Sequence, residues 1–407
     1  MNIIEGGSWA VIDESKGLFK NDARALAVDE QGGVWVGQQG GASCFLDGQW
    51  KYLRAPDLGS LTFDALACDQ KGRVWAGHYQ GLQVFDGRQW KSYPRDAFGA
   101  REAWGLEDLA IGPDGSVWIA THLGVICYDG SAWTRYDETS GLASRSVDSI
   151  AVDSTGRVWV GHVSGVSALD QGKWINYGAG GSAIDVKVPD LTQANDLAID
   201  GKGSLWVVTF GNGVFSFDGR DWKKYDRSNS GLIGGRGKVI ACDAAGGVWV
   251  GTDYELAVFD GSRWWTYTAA TSGLAADGIS AIACIGAGRV ELPVPRTAAP
   301  GSVTGRVVTG EGAPIAEAEV FVCWDVSWPI FTGPTPCRGT SYHVFTDNDG
   351  RFVIQGISMG AYRIAIKRME KGKAKWYSVG GIGSIPTMVR VLSGKDTYFG
   401  ELKLKTD

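Results

Sequence analysis

The chain has 407 residues, a formal charge of −6, 44% hydrophobic and 21% charged residues, and many turns and large aromatics, with 60 Gly and 18 Trp. This composition excludes a disordered chain, and no apolar run approaches the roughly 18 to 20 residues that a membrane-crossing helix needs. Residues 301–407 carry 13 Lys+Arg against 10 Asp+Glu, which leaves 26 against 35 before them, and an acidic first part argues against nucleic acid as its partner.

The N-terminus, MNIIEGGSWAVID, does not have the layout of a signal peptide. The expectation is a cytoplasmic protein as the sequence stands, without membrane insertion, and a periplasmic or extracellular one if an export signal was trimmed. NIIEGGSW (Asn2 to Trp9) aligns with the later QVFDGRQW and predicts two strands. Six units of one grammar follow: an alternating strand ending in Asp, a turn with Gly, a strand with Trp, a short loop, a third strand, Asp-Gly, and a strand opening on Trp. The inner Trp residues are Trp35, Trp75, Trp118, Trp159, Trp206 and Trp249; the outer ones are Trp50, Trp90, Trp133, Trp174, Trp222 and Trp264. Period-2 alternation signals strands and Asp-Gly favours a tight hairpin, so each unit is a four-stranded antiparallel meander. Units of 40 to 48 residues that cannot bury both faces alone arrange radially, which makes a β-propeller.

After the sixth unit, GISAIACIGAGRVEL (Gly278 to Leu292) repeats the first two strands, with Glu291 where Trp is expected. Paired with residues 2–12, it closes a seventh blade. The propeller is expected over residues 1–297. Most of the Trp residues read as wedges between sheets, since one such side chain buries about 150 to 250 Å².

The pattern GL…VxxIxxDxxGxxWVGTxxG…FDGxxWxxY, well copied from Ser140 to Tyr177, resembles the two-component regulator propeller repeat. The resemblance implies a bacterial sensor-like or interaction propeller, here with no kinase, transmembrane or response-regulator segment following. Such repeats carry different ligands in different proteins.

From about residue 298 the Trp repeat stops. PGSVTGRVV, GAPIAEAEVFV and TDNDGRFVIQGISMGAYRIAI read as alternating strands of a small β-sandwich over residues 298–407, and they resemble the carboxypeptidase regulatory-like domain of transthyretin type. That resemblance implies a non-catalytic docking or spacing module. GISMG fits G-x-S-x-G around Ser358, but a strand and not a helix follows it. TDNDG (Thr346 to Gly350) reads as a turn, not a calcium loop, and KRMEKGKAKW (Lys367 to Trp376) as a solvated hairpin. In CWDVSWPIFTGPTPC, Trp324, Trp328 and Phe331 offer a possible second binding surface, and Cys323 with Cys337 is the plausible disulfide pair. Most other Cys residues read as buried free thiols.

Strand direction in a meander sets the loop after the Trp strand on the same end as the interblade connections. These loops read QQGG, HYQG, THLG, HVSG, TFGNG and TDYE, whereas the turns at the other end barely change. Variation on a rigid scaffold marks recognition. Three of the four His (His78, His122, His162) fall here in blades two to four. The matched residues near the start of the first strands, Arg24, Asp64, Glu107, Asp148, Asn195, Lys238 and Ser280, place acid in the same three blades. The candidate ligand or partner site is therefore His78, Tyr79, His122, His162, Asp64, Glu107, Asp148 and Asp253. A solvated rim with hydrogen-bonded His is the bland alternative. Metal is disfavoured because blades diverge while ligands must converge to about 2.0 to 2.5 Å. The leading function is a non-enzymatic recognition or scaffold protein without cofactor, whose partner is a protein, with a polar small molecule or glycan as other candidates. Alternatives are a carbohydrate-binding surface protein and, from likeness to streptogramin lyase in blade number, a propeller lyase or hydrolase.

Overall fold

The computed structural model describes residues 2–5, 8–46, 48–55, 62–98, 105–230, 232, 236–269, 271–272, 274, 278–284, 301–326, 337–357, 360–370, 373–378, 388–391 and 396–404. The chain is nearly all β and divides into two units, Met1–Val294 and Pro295–Asp407.

The first unit is a propeller. Blade 1 runs from Ala25–Val28 to Gln49–Arg54, blade 2 from Ala65–Cys68 to Trp90–Pro94, and blade 3 from Leu106–Ile111 to Trp133–Tyr136. Blade 4 runs from Val147–Val152 to Lys173–Gly178, blade 5 from Ala194–Ile199 to Trp222–Tyr225, and blade 6 from Gly237–Cys242 to Trp264–Tyr267. Each is an antiparallel meander in chain order, and the first strands of successive blades pack side by side. Blade 4 adds a short fifth strand, Val186–Lys187, parallel to its fourth.

The Asp-x-x-Gly turn explains why the grammar repeats. Asp69 accepts the backbone N–H groups of Lys71 and Arg73 on one oxygen and the Trp75 Nε1–H on the other, at 2.9 Å. Asp29, Asp200 and Asp243 hold Trp35, Trp206 and Trp249 in the same way. Blade 3 has Gly112 at this position, and there Ser116 Oγ accepts from Trp118 Nε1 at 2.8 Å.

Two pieces of a seventh blade are described. Asn2–Glu5 and Ser8–Val11 form an antiparallel hairpin with Ile3 opposite Ala10. Ile279 packs beyond blade 6 where the next blade begins: a Cβ on Gly251 would meet Ile279, just as one on Gly37, Gly77 or Gly161 would meet Phe63, Leu106 or Ala194. Its N–H donates to the Thr252 carbonyl at 3.0 Å. Residues 285–292 lie outside the described residues, and 278–284 are described without strand pairing.

The second unit is a β-sandwich. A three-stranded sheet (Arg351–Ile357, Gly301–Thr309, Asp396–Leu404) and a sheet built on Glu319–Val326, Cys337–Phe345, Gly360–Glu370 and Lys373–Ser378, with Met388–Val391 beside it, share one core. Val303, Val307 and Ile354 from the first meet Val320, Val322, Ile364 and Ile366 from the second. Asp347 accepts the N–H groups of Asp349 and Arg351, which is the expected turn at TDNDG, and Glu370 pairs with Lys373 to close the expected hairpin. Trp328, Phe331 and Ser358 lie outside the described residues, as do the side chains of Trp324, Cys323 and Cys337. The strand register sets Cys323 opposite Ser341 and Cys337 opposite Val326, not opposite each other.

Candidate functional site

The predicted residues fall into two groups. His78 and His162 end the second strands of blades 2 and 4, which are buried along their whole length because sheets cover both faces. His162 has 0% exposure. Its Nδ1 accepts the Ser164 N–H at 3.2 Å, so Nε2 carries the proton and donates to Ser167 Oγ at 2.8 Å; Ser167 in turn donates to Asn176 Oδ1 at 2.5 Å. His78 Nδ1 accepts the Gln80 N–H at 3.2 Å. Burial depresses both rings to about 4, aided at His78 by the charge of Arg95. They brace the ends of the strands, and the expectation that they meet a ligand at the surface is corrected: the neighbouring strands enclose them.

His122 lies one residue beyond its strand, and its side chain is 40% exposed. Its Nε2 is 3.1 Å from Glu107 Oε1 and its Nδ1 3.0 Å from Ser146 Oγ. Burial pushes Asp148 up, the neighbouring His122 opposes that, and Glu107 adds to it. Glu107, His122 and Asp148 therefore form one polar cluster across blades 3 and 4. Asp64 stands apart on blade 2, raised by burial against the pull of Arg24. Asp253 is on blade 6, 2.5 Å from Lys238 Nζ and 4.0 Å from Arg236 Nε. Tyr79 is exposed, with the Arg95 guanidinium 5.2 Å from its ring centroid.

Apart from Tyr79, sequence reasoning missed the apolar part of this face. The large apolar side chains of the propeller that stand at least 40% exposed among the described residues are Phe19, Tyr79, Val163, Val186 and Phe210. Tyr79, Val163 and Phe210 are in loops after second strands, and Phe19 and Val186 in interblade connections, so all five belong to the variable end. Val163 and Phe210 are tied together through Gln193, whose N–H donates to the Val163 carbonyl at 2.8 Å and whose carbonyl accepts the Phe210 N–H at 3.0 Å. Gln193 does this at φ 50, the left-handed region that non-glycine residues seldom occupy. Arg236 covers the Phe210 ring at 4.2 Å. These residues form an aromatic–arginine strip across blades 4 to 6. The readable signal was an apolar residue at the tip of a short loop in HVSG and TFGNG.

Two further carboxylates lie one residue past the predicted ring, at β-bulges in the first strands. Asp108 and Asp196 are pushed up mainly by burial, Asp108 to about 6, and each also feels another carboxylate: Glu107 at Asp108, and Asp108 at Asp196. Among the described residues no group of three or more His, Cys, Asp or Glu is placed to hold a metal. The described cysteines, Cys44, Cys68, Cys127, Cys242 and Cys284, are free, and burial raises their thiols.

No protein-family model matches the chain, and no curated protein matches it. Solved structures do. The extracellular domain of the hybrid two-component system BT3049 from B. thetaiotaomicron is similar at TM-score 0.54 and 16% identity, with 96% of this chain and 56% of that one covered. The extracellular domain of the one-component system BT4673 from the same organism is similar at TM-score 0.50 and 15% identity, covering 96% and 58%. PorZ, a surface component of the type-IX secretion system of Porphyromonas gingivalis, is similar at TM-score 0.51 and 17% identity, covering 92% and 55%. At these identities the likeness is one of fold. The chain spans little more than half the length of each.

Proposed function

We propose that the protein is a non-enzymatic recognition module that binds a partner protein with the variable end of its propeller. The observation that carries this reading is that, among the described residues of the propeller, the large apolar side chains at least 40% exposed lie at that one end, where Val163 and Phe210 are joined through Gln193. Aromatic and Arg side chains over a preformed backbone are what interface anchors are made of, and the Val163–Gln193–Phe210–Arg236 strip supplies both. The Glu107–His122–Asp148 cluster would contribute the polar rim.

A sensor-like role of the two-component propeller kind is supported by the repeat grammar and by neighbours named as extracellular domains of such systems. Those names favour the periplasmic or extracellular alternative over the cytoplasmic one. The C-terminal sandwich serves as an appended module of the carboxypeptidase regulatory-like kind. The test is capture from extracts of the source cells with immobilised full chain, wild type against Val163→Glu/Phe210→Glu. A protein retained by the wild type and lost by the variant is expected; equal retention by both, or none by the wild type, contradicts the reading.

A further inference from the structure

The outer face of the larger sheet in the C-terminal unit carries an arrangement that the propeller reading does not use. Alternation in Glu319–Val326 sends Val320 and Val322 into the core and so places Glu319 and Phe321 on the other face, where Phe321 is 5% exposed and the Glu319 side chain 15%. The register sets Phe345 opposite Glu319 on one side and Lys367 opposite it on the other. These three residues form one row across three strands. Phe345 is 60% exposed. Lys367 Nζ lies 3.0 Å from Glu319 Oε2. His343, two residues from Phe345 on the same face, is 54% exposed, with Nε2 3.9 Å from Glu319 Oε1 and its ring stacked on Phe321 at 5.3 Å.

We propose that this row binds a sugar ring, with Phe345 as the stacking surface and the Glu319–Lys367 pair holding two adjacent hydroxyls. A pyranose presents an apolar face of C–H groups and a rim of hydroxyls, each of which donates and accepts. An exposed aromatic ring takes the apolar face. A carboxylate acceptor and an ammonium donor held 3.0 Å apart match neighbouring hydroxyls, and His343 extends the polar edge. Two strand spacings, about 10 Å, separate Phe345 from Lys367, so ring and hydroxyls can be engaged together.

A glycan matches the pairing of one exposed stacking ring, Phe345, with a carboxylate and an ammonium beside it; a stable protein interface instead buries about 800 Å² per partner around several large side chains.

The experiment is native affinity electrophoresis of the full chain in gels containing starch, xylan, β-1,3-glucan or mannan. Wild type is compared with Phe345→Ala, Glu319→Gln and, on the opposite sheet, Tyr398→Ala, which removes another exposed ring. Retardation of the wild type by at least one polysaccharide is expected, weakened tenfold or more by Phe345→Ala, severalfold by Glu319→Gln, and not by Tyr398→Ala. The proposal is overturned if no polysaccharide retards the wild type, if Phe345→Ala is retarded equally, or if Tyr398→Ala causes the loss instead. Phe345 is a surface residue, so its removal leaves the fold available whatever Glu319→Gln does to stability.

Discussion

The Asp108 carboxylate of blade 3 accepts the backbone N–H of Ile150 in blade 4 at 2.9 Å, and Asp196 repeats the bridge from blade 5 to Ile240 of blade 6 at 2.8 Å. Each also accepts the N–H of the residue that follows it, Leu109 and Leu197. Burial nonetheless outweighs these bonds and lifts Asp108 to about 6. A carboxyl whose folded value lies above its unfolded one adds stability that is fully present below the unfolded value and is lost as pH rises through the folded one. The stability difference between wild type and Asp108→Asn is therefore expected to grow in favour of wild type by about 1 kcal/mol from pH 7 to pH 5. Urea titrations at the two pH values measure it, and a constant difference contradicts it.

His162 and His78 carry the opposite sign. Their folded values of about 4 lie below the ordinary imidazole value, so the stability they contribute as neutral rings is lost as pH falls from about 6.5 through 4. Nitrogen-15 spectra should show His162 in one neutral state, protonated on Nε2, between pH 8 and pH 5. A midpoint near 6.5 would show that water reaches the ring. His162→Ala is expected to cost on the order of 2 kcal/mol, because Ser167 Oγ loses its buried donor and the Ser164 N–H its acceptor.

The expected ring closure joins the Asn2–Val11 hairpin to the segment that begins at Ile279, which packs against Gly251. Deleting residues 2–12 removes half of the shared blade and uncovers apolar surface on its neighbours. The expected melt is lower and broader, with aggregation. A sharp, unshifted transition would mean that the ring closes without the N-terminus.

The blades were legible because one Asp-x-x-Gly-x-x-Trp turn repeats, and its bonds, such as Asp69 to Trp75, are local. The position of His162 along its strand was legible too; its burial was not, because the second strand of a blade is covered on both faces by strands distant in sequence. His122, one residue later, clears that cover. A β-bulge between Leu106 and Asp108 leaves no mark in the sequence. The role of Asp108, one residue beyond Glu107, therefore went unseen. Phe210 and Arg236 come from different blades, and no spacing rule joins them.

The claim that the variable end is the recognition face is tested most directly by photo-crosslinking in the source cells. A photoreactive residue is placed at Val163 or Phe210 on that end and, for comparison, at Arg88 or Arg220 in the Asp-Gly hairpins of the opposite end. The predicted result is one discrete adduct from Val163 and Phe210, abolished by Arg236→Glu, and none from Arg88 or Arg220. Adducts from the hairpin positions alone, or equally from both ends, would contradict the account.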